Sequence, residues 1–174
     1  LTTILLGLAS MPFAFSYPLM KRYTYWPQLF LGFTFNYGII MAWFSINSQF
    51  SYIPIIFYLG AIFWTLAYDT IYGFQDIKDD EIIGVKSTSI KFKTNPKLFI
   101  FVCYLIFIFF QIITGVLMEF NYYYFIGIII IAYHLLIFQT LKLNISNTNI
   151  CLKTFKSNNF LGLLVFINIL INKI

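Results

Sequence analysis

Apolar residues run along this chain in continuous stretches separated by short polar breaks, with no alternation of apolar and polar positions. The stretches fall at 1–16, 28–46, 53–68, 96–118, 122–141 and 158–171. A helix that crosses the hydrocarbon of a bilayer needs ~20 apolar residues at ~1.5 Å rise each, and most of these runs approach that length. The third is expected to continue as helix into the polar segment after it. The first opens inside an apolar run at Leu1, which reads as a span cut short at its N-terminus. Barrel strands would be only ~10 residues long and would alternate. The pattern therefore predicts an all-α integral membrane bundle of six transmembrane helices, in one transmembrane domain over 1–174.

Composition agrees. Hydrophobic residues make up 60%, charged residues 10%, and the mean hydropathy is +0.84. A soluble domain would carry roughly 25% charged residues, so too few polar side chains are present to clothe a water-facing surface. The expected solvent is the lipid bilayer. With six spans, the segments 17–27, 74–97 and 142–157 share one face of the membrane. They hold every basic residue of the 11 except Lys173, and basic residues mark the cytoplasmic side or its matrix equivalent. Insertion topology thus accounts for the net charge of +5, and no nucleic-acid partner is called for.

The acids are concentrated. All except Glu119 lie between Asp69 and Glu81. At about 100° per residue, Asp69, Tyr72, Asp76 and Asp80 fall near 0°, 300°, 340° and 20° on a helical wheel, whereas Asp79 and Glu81 point elsewhere. If the segment stays helical, one stripe presents three carboxylates and a phenol. Carboxylates one turn apart suit a hard divalent cation, since magnesium takes one or two of them and completes its shell with water and substrate phosphate. Lys78, Lys86, Lys91 and Lys93 surround the cluster and suit an anionic substrate. A solvated acidic loop is the plainer alternative.

A second feature, YPLMKRYTYWP at 17–27, lies on the same predicted face. Its aromatics and its Lys21–Arg22 pair fit either an interfacial anchor or an anion-binding turn. Arg offers a planar fork and Lys a point charge. Cys103 and Cys151 have no metal or disulfide spacing. His134, alone in an apolar helix, reads as a packing residue or one hydrogen-bonded to a neighbouring helix.

Three blocks carry a resemblance: YPLMKRYTYWPQLFLGFTFNYG at 17–38, YDTIYGFQDIKDDEIIGVKSTSIKF at 68–92 and CLKTFKSNNFLGLLVF at 151–166. In order and spacing they resemble 4-hydroxybenzoate polyprenyltransferases of the UbiA type, over nearly the entire chain. The resemblance implies a nine-helix membrane fold around a central cavity. It also implies transfer of a polyprenyl chain from polyprenyl diphosphate to the ring carbon ortho to the hydroxyl of 4-hydroxybenzoate, a Mg2+-dependent step of ubiquinone biosynthesis. Carried onto this chain, it makes Asp69, Asp76 and Asp80 the metal ligands, with Asp76, Asp80, Lys21 and Arg22 in the catalytic group. Lys21 and Arg22 become cations that neutralise diphosphate or benzoate. Tyr17, one turn before Lys21, and Tyr72 would orient the leaving group, and Lys86 would contact phosphate. The implied location is the bacterial plasma membrane or the mitochondrial inner membrane, with the site facing cytoplasm or matrix.

One element of that family is missing. No Asn-Asp pair occurs in the 174 residues, so the first aspartate-rich motif is expected on three further spans. The six here would then be the fourth to ninth, and alone they would form an incomplete site. The alternatives are a prenyltransferase of the same type with another aromatic acceptor, a metal or phosphate transporter, and a non-catalytic membrane fragment.

Overall fold

The computed structural model describes residues 2–47 and 49–172, and among these no strand occurs. The helices are α1 (Thr2–Tyr23), α2 (Pro27–Asn36), α3 (Gly38–Ile46), α4 (Ile53–Gly73), α5 (Ile77–Ile83), α6 (Thr88–Lys91), α7 (Pro96–Leu117), α8 (Tyr122–Tyr133) and α9 (Thr148–Ile171). Among the described residues, six helical stretches are long and apolar enough to cross a membrane, α2 with α3 counting as one and α8 with its continuation as another. The chain is a multi-pass membrane protein. Lys173, the one basic residue expected on the far face, lies outside the described residues.

Three span boundaries differ from the expectation. The first helix does not stop near Ser16 but runs to Tyr23, so residues 17–23 are helix rather than turn. Lys21 and Arg22 stand in its last turn, where cations meet the negative end of the helix dipole favourably. The final helix begins at Thr148, well before 158, with the Asn147 side chain accepting the Ile150 N–H at 3.2 Å as its cap. The second span is broken at Tyr37. There the Tyr37 N–H turns to the Thr34 carbonyl at 3.4 Å, and the Phe33 carbonyl accepts the Tyr58 hydroxyl at 2.7 Å instead.

The core is built on α4, which packs against α7 along most of its length and also meets α2 and α9. Leu66, Ala67, Ile71 and Phe74 interlock there with Ile100, Cys103, Tyr104 and Phe107. Lipid tails give no hydrophobic drive between helices, so packing and interhelical hydrogen bonds must hold the bundle. A polar chain supplies the latter. Trp64 Nε1 donates to Asn158 Oδ1 at 2.9 Å, Gln139 Nε2 donates to the same oxygen at 3.1 Å, and the Tyr104 hydroxyl donates to Gln139 Oε1. His134 meets Ser157 Oγ at 3.3 Å on α9, the interhelical role its isolation had implied.

Gln139 reaches this network from an unusual stretch. After Tyr133, α8 continues to Leu141 as π-helix, and the Thr140 hydroxyl donates back to the Leu135 carbonyl, five residues earlier, at 2.9 Å. π-turns concentrate where a helix must present side chains off the α register. Here the result is a buried amide aimed at α7 and α9 together.

Candidate active site

The acidic segment does not stay helical. Helix α4 ends at Gly73, the chain bends through Phe74 and Gln75, and α5 starts after Asp76. The continuous stripe predicted for 69–80 is therefore absent. The bend nevertheless keeps its members together: Asp69, Tyr72, Asp76 and Asp80 line one pocket, joined by Tyr17, Lys21, Pro27, Gln28 and Gly73. Asp76 and Asp80 stay one turn apart because the Asp80 N–H donates to the Asp76 carbonyl at 2.9 Å. Asp69 lies about one turn before the end of α4, on the other side of the bend.

The segment after α5 is folded back by three devices. Gly84 adopts φ 77°, a left-handed conformation that favours glycine, and lets the Val85 N–H reach the Asp80 carbonyl at 3.1 Å. The Lys86 N–H then donates to the Lys21 carbonyl at 2.8 Å, tying the loop to α1. Finally α6 docks on α4. The Thr88 and Thr70 hydroxyls share a 2.6 Å bond, Ser89 Oγ donates to the Thr70 carbonyl at 2.8 Å, and Gln28 Oε1 accepts the Thr88 N–H at 3.0 Å. Gly73 is required at this contact, because a Cβ there would collide with Ser89 Oγ.

The cations divide. Tyr17 and Lys21 are one turn apart on α1 and both face the pocket. Arg22, about 100° further round the helix, is exposed and is not among the lining residues. Lys86 lies off the pocket as well. Its Nζ donates to the Tyr23 carbonyl at 3.4 Å and sits over the Tyr25 ring, 5.7 Å from the centroid. Asp79 is exposed, and Glu81 is ion-paired with Lys93, so both point away as the helical spacing indicated.

Asp69, Asp76, Asp80 and Lys21 share a pocket, yet among the described residues the single ion pair is Lys93–Glu81. Lys21 is thus close enough to influence the acids and too far to neutralise them by contact. Burial pushes the Asp80 carboxyl above the usual carboxylate range. Lys21 opposes that rise, while Asp76 and Asp79 add to it. Such a gap between unpaired carboxylates and a lysine suits a cation bound to an anion. The three acids do not close into one metal cage: among the described residues no group of three metal-ligating side chains comes together. A donor set of all-oxygen ligands, used one or two at a time with phosphate completing the shell, fits magnesium and does not require that cage.

Sequence reasoning missed Gln28, Thr70, Thr88 and Ser89. They hold the pocket by hydrogen bonds across 18 to 60 residues of chain. The one signal available was their polarity at buried positions beside or within apolar runs.

Two comparisons place the chain among known proteins. The model of the UbiA prenyltransferase family matches residues 1–167. The chain is 37% identical over 170 residues to the mitochondrial 4-hydroxybenzoate polyprenyltransferase of Aedes aegypti, covering 97% of this chain and 38% of that protein. It is 39% identical over 170 residues to the 4-hydroxybenzoate octaprenyltransferase of Vibrio campbellii, covering 97% and 59%. A 4-hydroxybenzoate octaprenyltransferase of Francisella tularensis subsp. novicida is 37% identical, covering 96% and 58%. The chain therefore spans only part of the length of each of these relatives. No solved structure matches it.

Proposed function

The chain belongs to the UbiA prenyltransferase family, and from that premise we propose that its protein transfers a polyprenyl chain from polyprenyl diphosphate to the ring of 4-hydroxybenzoate, in ubiquinone biosynthesis. The substrates are those in the names of its relatives. The observation that carries the reading is the pocket in which Asp69, Asp76 and Asp80 stand unpaired opposite Lys21.

Diphosphate leaves an allylic carbon readily only when the charge arriving on its oxygen is neutralised. Lys21, placed in the pocket, offsets that charge directly, and Tyr17 and Tyr72 offer hydroxyls to orient the phosphate oxygens. Asp76 and Asp80, with Asp69 behind them, would hold a divalent cation, which we take to be Mg2+. When bound, it supplies Lewis-acid neutralisation of the diphosphate. As the C–O bond breaks, its electron pair leaves on the diphosphate. The ring carbon ortho to the phenol bonds the allylic cation, and its proton passes to the released diphosphate. Arg22 and Lys86, at the rim, serve electrostatic attraction of the anionic substrates.

We place the protein in the bacterial plasma membrane or the mitochondrial inner membrane, with the pocket on the face that carries the basic segments. Membranes containing the full-length protein should convert 4-hydroxybenzoate and a polyprenyl diphosphate to prenylated product, detected by mass spectrometry, and chelation should stop the reaction. Product with a different aromatic acid, and none with 4-hydroxybenzoate, would overturn the acceptor assignment.

A further inference from the structure

A second cavity, of about 330 Å³, lies deeper along α4 between α2 and α9. Its chemistry is opposite to that of the carboxylate pocket. No charged residue lines it, and its walls include the aromatic rings of Trp64, Tyr68 and Phe155. The amides at its edge are largely occupied by the protein. Asn158 Oδ1 accepts from Trp64 and Gln139, its Nδ2 donates to the Thr154 and Phe155 carbonyls, and Asn36 Nδ2 donates to Thr65 Oγ1 at 2.8 Å.

One ring stands between the two spaces. Phe155, on α9, packs against Tyr72 of the carboxylate pocket with centroids 4.8 Å apart. It also packs against Tyr68 of the aromatic cavity with centroids 5.8 Å apart. The position of α9 here is held by the Trp64–Asn158 bond, one turn along from Phe155.

We propose that Phe155 is a catalytic residue: its ring face, with Tyr68 and Tyr72 beside it, stabilises the allylic cation as diphosphate departs into the carboxylate pocket. The inference rests on the prenyl-transfer reading and adds the place where the organic cation sits. An aromatic face attracts a cation electrostatically without offering a lone pair that captures it. The carboxylates one pocket away would trap the same cation as an ester. With Phe155 at the border of the two spaces, the reactive carbon lies beside its ring as the bond to diphosphate breaks, while Asp69 and Asp76 line the carboxylate pocket beyond. The cavity beyond then receives the first isoprene unit and the acceptor ring.

The test uses the full-length protein in membranes, with Phe155 replaced by phenylalanine bearing one, two or three ring fluorines. Each fluorine drains negative charge from the ring face while nearly keeping its size. Single-turnover prenyl transfer should slow stepwise along the series, by roughly tenfold in total. Protein level and the half-saturating concentration of prenyl diphosphate should stay near wild type. Phe155→Leu should be slower still. Equal rates along the fluorine series would overturn the proposal even if Phe155→Leu is inactive, because that combination marks a packing role. Wild-type protein that transfers no prenyl group would instead defeat the functional reading, and this inference with it. Active wild type, inactive Asp76→Asn and a flat fluorine series would sink the cation assignment alone.

Discussion

The Lys86 N–H donates to the Lys21 carbonyl at 2.8 Å, joining positions 65 residues apart in the chain at the rim of the carboxylate pocket. The bond uses backbone atoms of both lysines and leaves both ammonium groups free of it. The loop that follows the acids is thereby held to α1, which carries Lys21 and Tyr17, as well as to α4, which carries Asp69 and Tyr72. Two helices and a loop, all separated in sequence, become one wall.

Charge removal should follow the pocket and not the sequence motif. Asp76→Asn and Asp80→Asn are expected to lower prenyl transfer by about 100-fold or more and to raise the magnesium concentration needed. Asp79→Asn, on the exposed side of α5, should stay within a few fold. Initial rates across a magnesium titration make the comparison. An Asp79 effect equal to that of Asp80 would contradict the geometry.

Lys21 and Arg22 should part company. Lys21→Met removes the cation that lines the pocket and is expected to cost far more than Arg22→Met, which removes one outside it. Arg22→Lys should be close to wild type, and its small residual effect should fade with added salt, as screening of a surface charge requires. Rates of prenyl transfer at low and high salt decide it.

The docking of α6 is a hydrogen-bonded clasp, so Thr88→Val tests it with little change of volume. The substitution deletes one partner of the buried Thr70 hydroxyl, which keeps its 2.6 Å bond to the Leu66 carbonyl, and should destabilise the protein by about 1 kcal/mol. Activity should fall further than stability, because Asp80 and the clasp belong to the same returning loop. Thermal unfolding in detergent beside the prenyl-transfer rate separates the two effects.

Topology is testable without activity. Single cysteines at Asn47 and Asn121 should label with an impermeant thiol reagent from one side of the membrane, and those at Thr94 and Asn147 from the other. The native Cys103 and Cys151 are both buried, so background labelling should be low. Labelling of positions 47 and 94 from the same side would break the six-span arrangement.

Much of this was legible in the sequence because lipid imposes a coarse and strong rule. Each long apolar run is helical, the second with a break at Tyr37, and the pattern of lysines sets the expected sidedness. Legibility failed where the rule is weaker. The first span is expected to end at 16, with a turn or anchor over 17–27, yet long cationic side chains at a span end cost little, and α1 continues through Lys21 and Arg22 to Tyr23. The acids at 69, 76 and 80 share one pocket, but not by the continuous helical stripe that their spacing predicts. A straight helix was expected, whereas Gly73 and the bend at Phe74–Gln75 deliver the same side chains to one pocket from two helices. The clasp of Thr70, Thr88, Ser89 and Gln28 had no local signature, since its partners meet only after the chain has folded.

The π-helical stretch from His134 to Leu141 carries a consequence for the length of the chain. A π-turn is an α-helix with one residue too many, so this segment is where a deletion does the least violence to the backbone. Removing Ile137, say, lets the stretch relax to ordinary α-helix without opening a gap. The headings of the side chains survive the cut. His134 and Gln139, five apart in the π stretch, would stand four apart in an α-helix, within about 40° of one another. Gln139 would still meet Tyr104 and Asn158, and His134 would still face Ser157. A deletion within α7 has no such surplus to absorb it and turns everything beyond it by about 100°. The helix thus keeps one residue in reserve at the point where the buried network between α7 and α9 is anchored.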